Sequence, residues 1–149
     1  MSVDVNFQPV EDHIRRATDG AIREAMLQIE REVVLEIERQ KLEVSGDLKS
    51  SITSEVVDNV ATIGTNRKYA PAVHEGSKPH WAPIDPLRVW VHMKFGLRGK
   101  EVEKTARAVQ VSIAKKGTKP HPFFTNAFER WQNKLPRFIA EAMKKRLPA

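Results

Sequence analysis

Glu11–Leu42 reads EDHIRRATDGAIREAMLQIEREVVLEIERQKL, and its periodicity organises the rest of the chain. Ile14, Ala17, Ala21, Ile22, Ala25, Met26, Ile29, Val33 and Ile37 recur at steps of three and four, which is one apolar stripe on a helix. Arg15, Arg16, Arg23, Glu24, Arg31, Glu32 and Glu38 take the opposite face. Glu36 has Glu32 four residues before it and Arg39 three after it, so charge pairing supports the helix only in part. Gly20 is a weak point, costing about 1 kcal/mol relative to alanine. A helix of this length in a small domain needs a surface to cover, and a sheet is the expected one.

Working outward, Ser45-Gly46-Asp47 ends the helix and turns the chain. Ser51–Val57 and Val60–Thr65 then read as two β-rich strands, with Asp58-Asn59 between them as a tight hairpin turn. Residues Asn66–Pro86 carry four prolines and read as an irregular loop, with Tyr69 and Val73 plugging the core beneath it and Trp81 turned to a partner. Asp85-Pro86 predicts a helix start, Asp85 as cap and Pro86 in the first turn. Leu87, Trp90, Val91 and Phe95 face inward in that reading, and Gly96 closes the helix. Gly99–Lys116 is a further helix, with Val102, Ala106, Val109 and Ile113 on one stripe and Gly117 as its stop. Phe123–Arg146 is helical in pattern, with Phe124, Ala127, Phe128, Trp131, Leu135 and Phe138 apolar, and Pro136 bends or breaks it. Lys144-Lys145-Arg146 suits the negative end of a helix dipole. The fold class expected is α+β: a long N-terminal helix packed on a small antiparallel sheet, with mid-chain and C-terminal helices, in one domain over residues 1–149.

Forty per cent hydrophobic and 30% charged residues describe a chain that folds rather than one that stays disordered. No apolar run reaches the roughly 20 residues that a membrane span needs. Met1–Val10 lacks the basic and apolar regions of a secretory signal. The sequence has no cysteine, so disulfides and thiolate metal sites are excluded. A net charge of +6 favours an anionic partner without choosing between nucleic acid and an acidic protein surface.

Two punctuated segments stand out for function. Tyr69–His80 is YAPAVHEGSKPH and Lys116–Phe124 is KGTKPHPFF. In each, a glycine (Gly76, Gly117) allows the turn and prolines (Pro79, Pro120, Pro122) keep the neighbouring backbone extended. His74, Glu75 and His80, joined by His121 if the segments meet, are the tightest ligand cluster, but they lack the fixed helical register of a metal pair. Gly96–Lys100, GLRGK, lacks the length and hydroxyl of a phosphate-cradling loop. Ser50 and Ser51 lie outside any nucleophile-elbow pattern and read as strand-start residues. Lys115, Lys116 and Lys119, preceded by Arg98, Lys100, Lys104 and Arg107, could contact phosphates without reading sequence, or form a solvated helix face.

Gly46-Asp47-Leu48-Lys49-Ser50-Ser51-Ile52, then Tyr69–Ser77, then Pro122-Phe123-Phe124 with Ala127 fall in an order and spacing similar to one family. The chain resembles the tail-completion or head–tail joining (neck) proteins of long-tailed bacteriophages. The resemblance implies a structural virion protein without catalytic residues or cofactor. It implies a homo-oligomeric ring, a hexamer by preference, that seals the tail tube and joins it to the head. Its partners would then be the tail tube protein and the head-closure or connector proteins, with non-specific contact to passing DNA and none to membrane. Its place would be the virion, and the host cytoplasm during assembly. Tyr69, Glu75, Lys78, His80 and Trp81 are the expected assembly-loop residues; His74 departs from the family pattern. Two rivals are a small basic nucleic-acid binder or ribonuclease toxin, and a metal-dependent hydrolase using His74, Glu75, His80 and His121.

Overall fold

The computed structural model describes residues 2–42 and 45–148. Its elements are helix α1 (Gln8–Arg39), helix α2 (Asp47–Ser50), strands β1 (Ile52–Val57) and β2 (Val60–Thr65), and helices α3 (Ala70–Glu75), α4 (Ile84–Phe95), α5 (Lys100–Lys116), α6 (Phe123–Trp131) and α7 (Leu135–Lys144). The class is α+β, with a long N-terminal helix and a two-stranded antiparallel sheet. Two compact units divide the chain. One takes residues 2–34, 52–64 and 125–148, the other residues 35–42, 45–51 and 65–124.

In the first unit the expected stripe of α1 becomes core: Ala17, Ala21, Ala25, Met26, Ile29 and Val33 are all buried. Ile22 is half-buried, and Ile14 is 47% exposed near the start of the helix. The hairpin adds Ile52 and Val56, and the last two helices add Ala127 and Ala142. Polar contacts fix the hairpin to the helix. Arg23 Nη2 donates to the Val56 carbonyl at 2.9 Å, and the Asn59 amide donates to Asp19 Oδ1 at 3.3 Å. Gly20 lies beneath a flexible side chain that could shift for a Cβ. The Arg146 side chain lies over it, 2.6 Å from where a Cβ would stand, and Arg146 pairs with Glu24 at 2.9 Å. Arg146 also donates to the Ala142 carbonyl at 2.8 Å, so this basic residue both caps α7 and ties it to α1. A second tie, Arg130 to Glu32 at 2.9 Å, holds α6.

Asp58 and Asn59 both adopt left-handed backbone, at φ 48° and 62°. Two successive residues of that kind make the type I′ turn expected of Asp-Asn, whose twist matches that of the flanking strands. The break between α6 and α7 is the one expected of Pro136, which sits in the first turn of α7, where its missing N–H costs nothing.

The second unit begins where α1 ends. The Lys41 amide bonds the Glu38 carbonyl and the Leu42 amide bonds that of Ile37, with Lys41 at φ 52°. This paired reverse bonding closes the helix three residues before Leu42, the expected end. Glu36, 3% exposed, accepts from Arg39 Nη1 at 3.0 Å and Gln40 Nε2 at 2.7 Å, which offsets the burial of a carboxylate. Ser50 and Ser51 are not the strand-start residues that the sequence suggests, since β1 begins at Ile52. The hydroxyls of Ser50 and Ser51 bond back to the carbonyls of Asp47 and Leu48, closing the single turn α2 and burying Leu48. The expected end of the long helix at Ser45-Gly46-Asp47 survives only as the left-handed entry to α2, Gly46 at φ 86°.

Residues 66–86 are not irregular throughout, because α3 occupies Ala70–Glu75. Its register corrects the expected plugs. Ala70 is buried, Val73 half-buried, and Tyr69 47% exposed, since it precedes the helix rather than lining its inner face. Helix α4 starts at Ile84 with Pro83 as its cap residue, so Asp85 is free of capping duty and binds Arg88 instead. Val91 is fully buried, whereas Phe95 is 54% exposed at the last residue of the helix and meets the half-buried Trp90 edge-on at 5.6 Å. Gly96 closes α4 in left-handed backbone, its amide on the His92 carbonyl. On α5 the expected stripe holds Ala106 buried and Val102, Val109 and Ile113 half-buried. At the start of α6 the large core ring is Phe123, fully buried, while Phe124 is half-buried and Phe128 is 50% exposed.

Phe123→Ala is therefore expected to cost about 3–5 kcal/mol in urea unfolding, the ordinary penalty for emptying a buried aromatic site. Phe128→Ala and Trp81→Ala, each removing a ring that is half or more in solvent, should shift the midpoint by far less. Equal losses from Phe123→Ala and Phe128→Ala would refute this assignment of the core.

Candidate assembly site

The two punctuated segments meet, and they meet as near copies of one another. Gly76-Ser77-Lys78-Pro79-His80 aligns residue by residue with Gly117-Thr118-Lys119-Pro120-His121. Each glycine terminates a helix, α3 or α5, in positive-φ backbone (74° and 70°). Ser77 and Thr118 then exchange both backbone hydrogen bonds, at 3.1 and 3.0 Å, as an isolated antiparallel bridge. Their hydroxyls add a third bond at 2.9 Å. This is a pseudo-symmetric clasp, and glycine is required on both halves of it. A Cβ on Gly76 would stand 2.5 Å from the Thr118 carbonyl oxygen, and one on Gly117 would stand 1.9 Å from that of Ser77. Neither obstacle is a flexible side chain that could step aside. The five-residue match was the sequence signal for the clasp; Gly-then-Pro punctuation alone registers only part of it.

Further bonds hold the chain on either side. The His121 amide donates to the Val73 carbonyl at 2.9 Å, drawing the second segment along α3. The His80 amide reaches the Ile113 carbonyl at 3.4 Å, and buried Gln110 donates through Nε2 to the Ala82 carbonyl at 2.7 Å. Gln110 lies outside the apolar stripe of α5, so periodicity passed over it. Its amide answers the backbone polarity of a chain segment laid against the helix. The stretch from Gly76 to Ala82 is thus bonded to its own unit at three places, so the irregular loop is held along its length.

The side chains behave differently from the backbone. Tyr69, Glu75, Lys78, His80 and Trp81 are all exposed, Trp81 by 66%. Lys115, Lys116 and Lys119 are exposed as well. The clasp brings Lys78 and Lys119 to equivalent positions on its two halves, so it presents a basic surface with an aromatic ring beside it. The histidines do separate work. His74 meets Phe123 edge-on at 5.3 Å and Phe124 at 6.1 Å, which makes it a packing residue at the position where the sequence departs from the family pattern. His80 Nδ1 lies 2.9 Å from the Lys78 carbonyl oxygen; a carbonyl only accepts, so Nδ1 carries the proton. Among the described residues no group of three His, Cys, Asp or Glu is placed to hold a metal ion. Nor is any described helix long and apolar enough to cross a membrane.

Helices α4 and α5, which the clasp joins at their far ends, are locked by an ionic fork. Arg88 donates through Nε to Glu103 Oε2 at 2.6 Å and through Nη2 to Oε1 at 3.0 Å. Arg107 adds a contact to Glu103 at 2.8 Å. Hydrogen bonding to Arg88, then its charge and that of Arg107, hold the Glu103 carboxyl below the ordinary glutamate range. A shallow open depression between the helices is lined by Arg88, Val89, His92, Arg98, Gly99, Val102 and Glu103, and the fork spans it.

Two outcomes are expected. Gly96→Ala, which meets open space, should show only the strain of left-handed backbone, on the order of 1–2 kcal/mol. Gly117→Ala should lose clearly more in urea unfolding, because the same strain is joined by collision with backbone; equal losses would dismiss the clasp as a constraint. For the fork, a carboxyl with a lowered folded pKa contributes stability above its unfolded pKa and loses it as pH falls through the folded value. Arg88→Gln should therefore raise the Glu103 midpoint toward the ordinary range in a carboxyl NMR titration, and remove the stability gained between that lowered midpoint and about pH 5. An unmoved midpoint would show that Arg88 is not the cause.

No family model matches this chain, and neither the curated proteins nor the solved structures contain a match to it.

Proposed function

We propose that this chain is a structural subunit of the neck or tail-completion ring of a tailed phage or prophage, which assembles with copies of itself to close the tail tube and join it to the head. The observation that carries the reading is the clasp. The second family-like motif is hydrogen-bonded to the segment leading into the third, Ser77 to Thr118 and Val73 to His121, and His74 of the second meets the rings of Phe123 and Phe124 in the third. That feature presents Tyr69, Glu75, Lys78, His80 and Trp81 outward together. A rigid backbone with exposed aromatic and charged side chains suits an interface, since little order has to be gained on docking and one buried aromatic can dominate the affinity. The basic surface at Lys115, Lys116 and Lys119 suits an acidic neighbouring subunit or the phosphates of DNA passing through the ring. Catalysis is not part of the reading.

Electron microscopy and native mass spectrometry of the purified chain, alone and with tail tubes, test the proposal. Closed rings or capped tube ends are the expected result. Trp81→Ala should leave the unfolding midpoint almost unchanged while reducing tube capping at least tenfold. Salt-dependent RNA cleavage by a chain that forms no ring and caps no tube would replace this reading with that of a basic nuclease.

A further inference from the structure

Ser2–Phe7 reads SVDVNF, with Val3, Val5 and Phe7 alternating with Asp4 and Asn6. Period-two alternation is the pattern of a strand with one apolar face. The segment precedes α1 outside any helix or strand, and its three apolar side chains are 78%, 64% and 64% exposed. No backbone–backbone hydrogen bond joins residues 2–6 to any other part of the described chain. It is a strand in sequence pattern without a sheet.

The first unit contains the complementary vacancy. A two-residue I′ hairpin pairs Val57 with Val60 by hydrogen bonds, so the amides and carbonyls of Val56, Ala61 and Ile63 point away from the partner strand. On β1 that outer edge is engaged by Arg23 at the Val56 carbonyl. On β2 the outer edge pairs with no other strand among the described residues. Ala61 and Thr62 are exposed, and Val57 and Val60 make an exposed apolar pair, at 55% and 66%, on the outer face of the hairpin. An open edge of this kind is a template for another strand.

The chain's own segment cannot be that strand. The hairpin tip touches α1 at Asp19, and Val56, three residues back from the tip, touches it at Arg23. The hairpin body therefore runs away from Gln8. Gln8 lies about 16 Å from Asp19 at 1.5 Å per helical residue. Lying along β2 would take about 20 Å more, at about 3.3 Å per strand residue. A six-residue segment reaches about 20 Å in all, against the roughly 36 Å required.

We propose that Ser2–Phe7 of one copy pairs with the outer edge of β2 in a second copy, adding a third strand to its sheet and placing Val3, Val5 and Phe7 beside Val57 and Val60. The six residues of the segment match the six of β2. This inference rests on self-association of the chain and names the segment that links one subunit to the next.

The sequence has no cysteine, so engineered thiols report without background. Val5→Cys chains mixed with Thr62→Cys chains should give a disulfide-linked heterodimer under mild oxidation. Deleting Ser2–Phe7 should raise the concentration for half-assembly, read by light scattering, at least tenfold. Ala61→Pro should do the same, because it removes one outward N–H and leaves the β1–β2 ladder intact; circular dichroism confirms that both variants fold. Undiminished assembly in the deletion and in Ala61→Pro, without cross-linking, overturns the proposal and leaves ring formation standing. A monomeric Val5→Cys/Thr62→Cys chain that closes its own disulfide overturns it by showing that the segment reaches its own sheet. A wild-type chain that stays monomeric with or without tail tubes overturns both this proposal and the ring.

Discussion

Two backbone hydrogen bonds between Ser77 and Thr118 hold together segments 41 residues apart, and the second unit depends on them. Everything between them, α4, the turn at Gly96 to Gly99, and α5, is thereby one closed loop. Closing a loop of that length has an entropic cost that grows only slowly with size, so a few well-placed bonds can hold it. The three clasp bonds are assisted by His121 on Val73, Gln110 on Ala82 and the Arg88–Glu103 fork. The two glycines make the approach possible. A single methyl group at either one would occupy the space of a carbonyl oxygen on the other segment.

The first unit is organised on a different principle. There the α1 stripe buries apolar surface, and long basic side chains fasten the neighbouring elements to it: Arg23 to the hairpin, Arg130 to Glu32, and Arg146 to Glu24. Surface ion pairs contribute little stability on their own, so these act as positioning contacts laid over hydrophobic burial. A two-stranded hairpin is marginal by itself, and its inner residues Ile52 and Val56 find burial only with the rest of the unit. That leaves one strand edge and one apolar pair, Val57 and Val60, facing solvent in a protein whose proposed work is assembly.

Rigid backbone and exposed side chains are separable properties, and the segment from Tyr69 to Ala82 shows it. Proline content suggested an irregular loop there. Its main-chain groups instead find partners in Thr118, Ile113 and Gln110, while Trp81 and Lys78 stay in solvent. Polar composition says where side chains can go; it does not say where backbone amides and carbonyls are satisfied.

Local chemistry was enough for much of this architecture. The three- and four-residue spacing from Ala17 to Ile37, the Asp58-Asn59 turn, the stops at Gly96 and Gly117 and the break at Pro136 each act within a few residues. Sequence therefore determined the long helices, the hairpin and the α+β class, but not the short helices α2 and α3. Tertiary structure alone decided which ring is core and which is surface. Phe123, Phe124 and Phe128 share one apolar segment, yet only Phe123 is fully enclosed, because enclosure depends on what the rest of the unit places around each ring. It also decided that Arg146 lies over Gly20 and that Gln110 serves Ala82. It paired Gly76-Ser77 with Gly117-Thr118 as well, since contacts between distant residues answer to the packing of whole elements and leave only a faint trace, here a five-residue likeness, in the order of the chain.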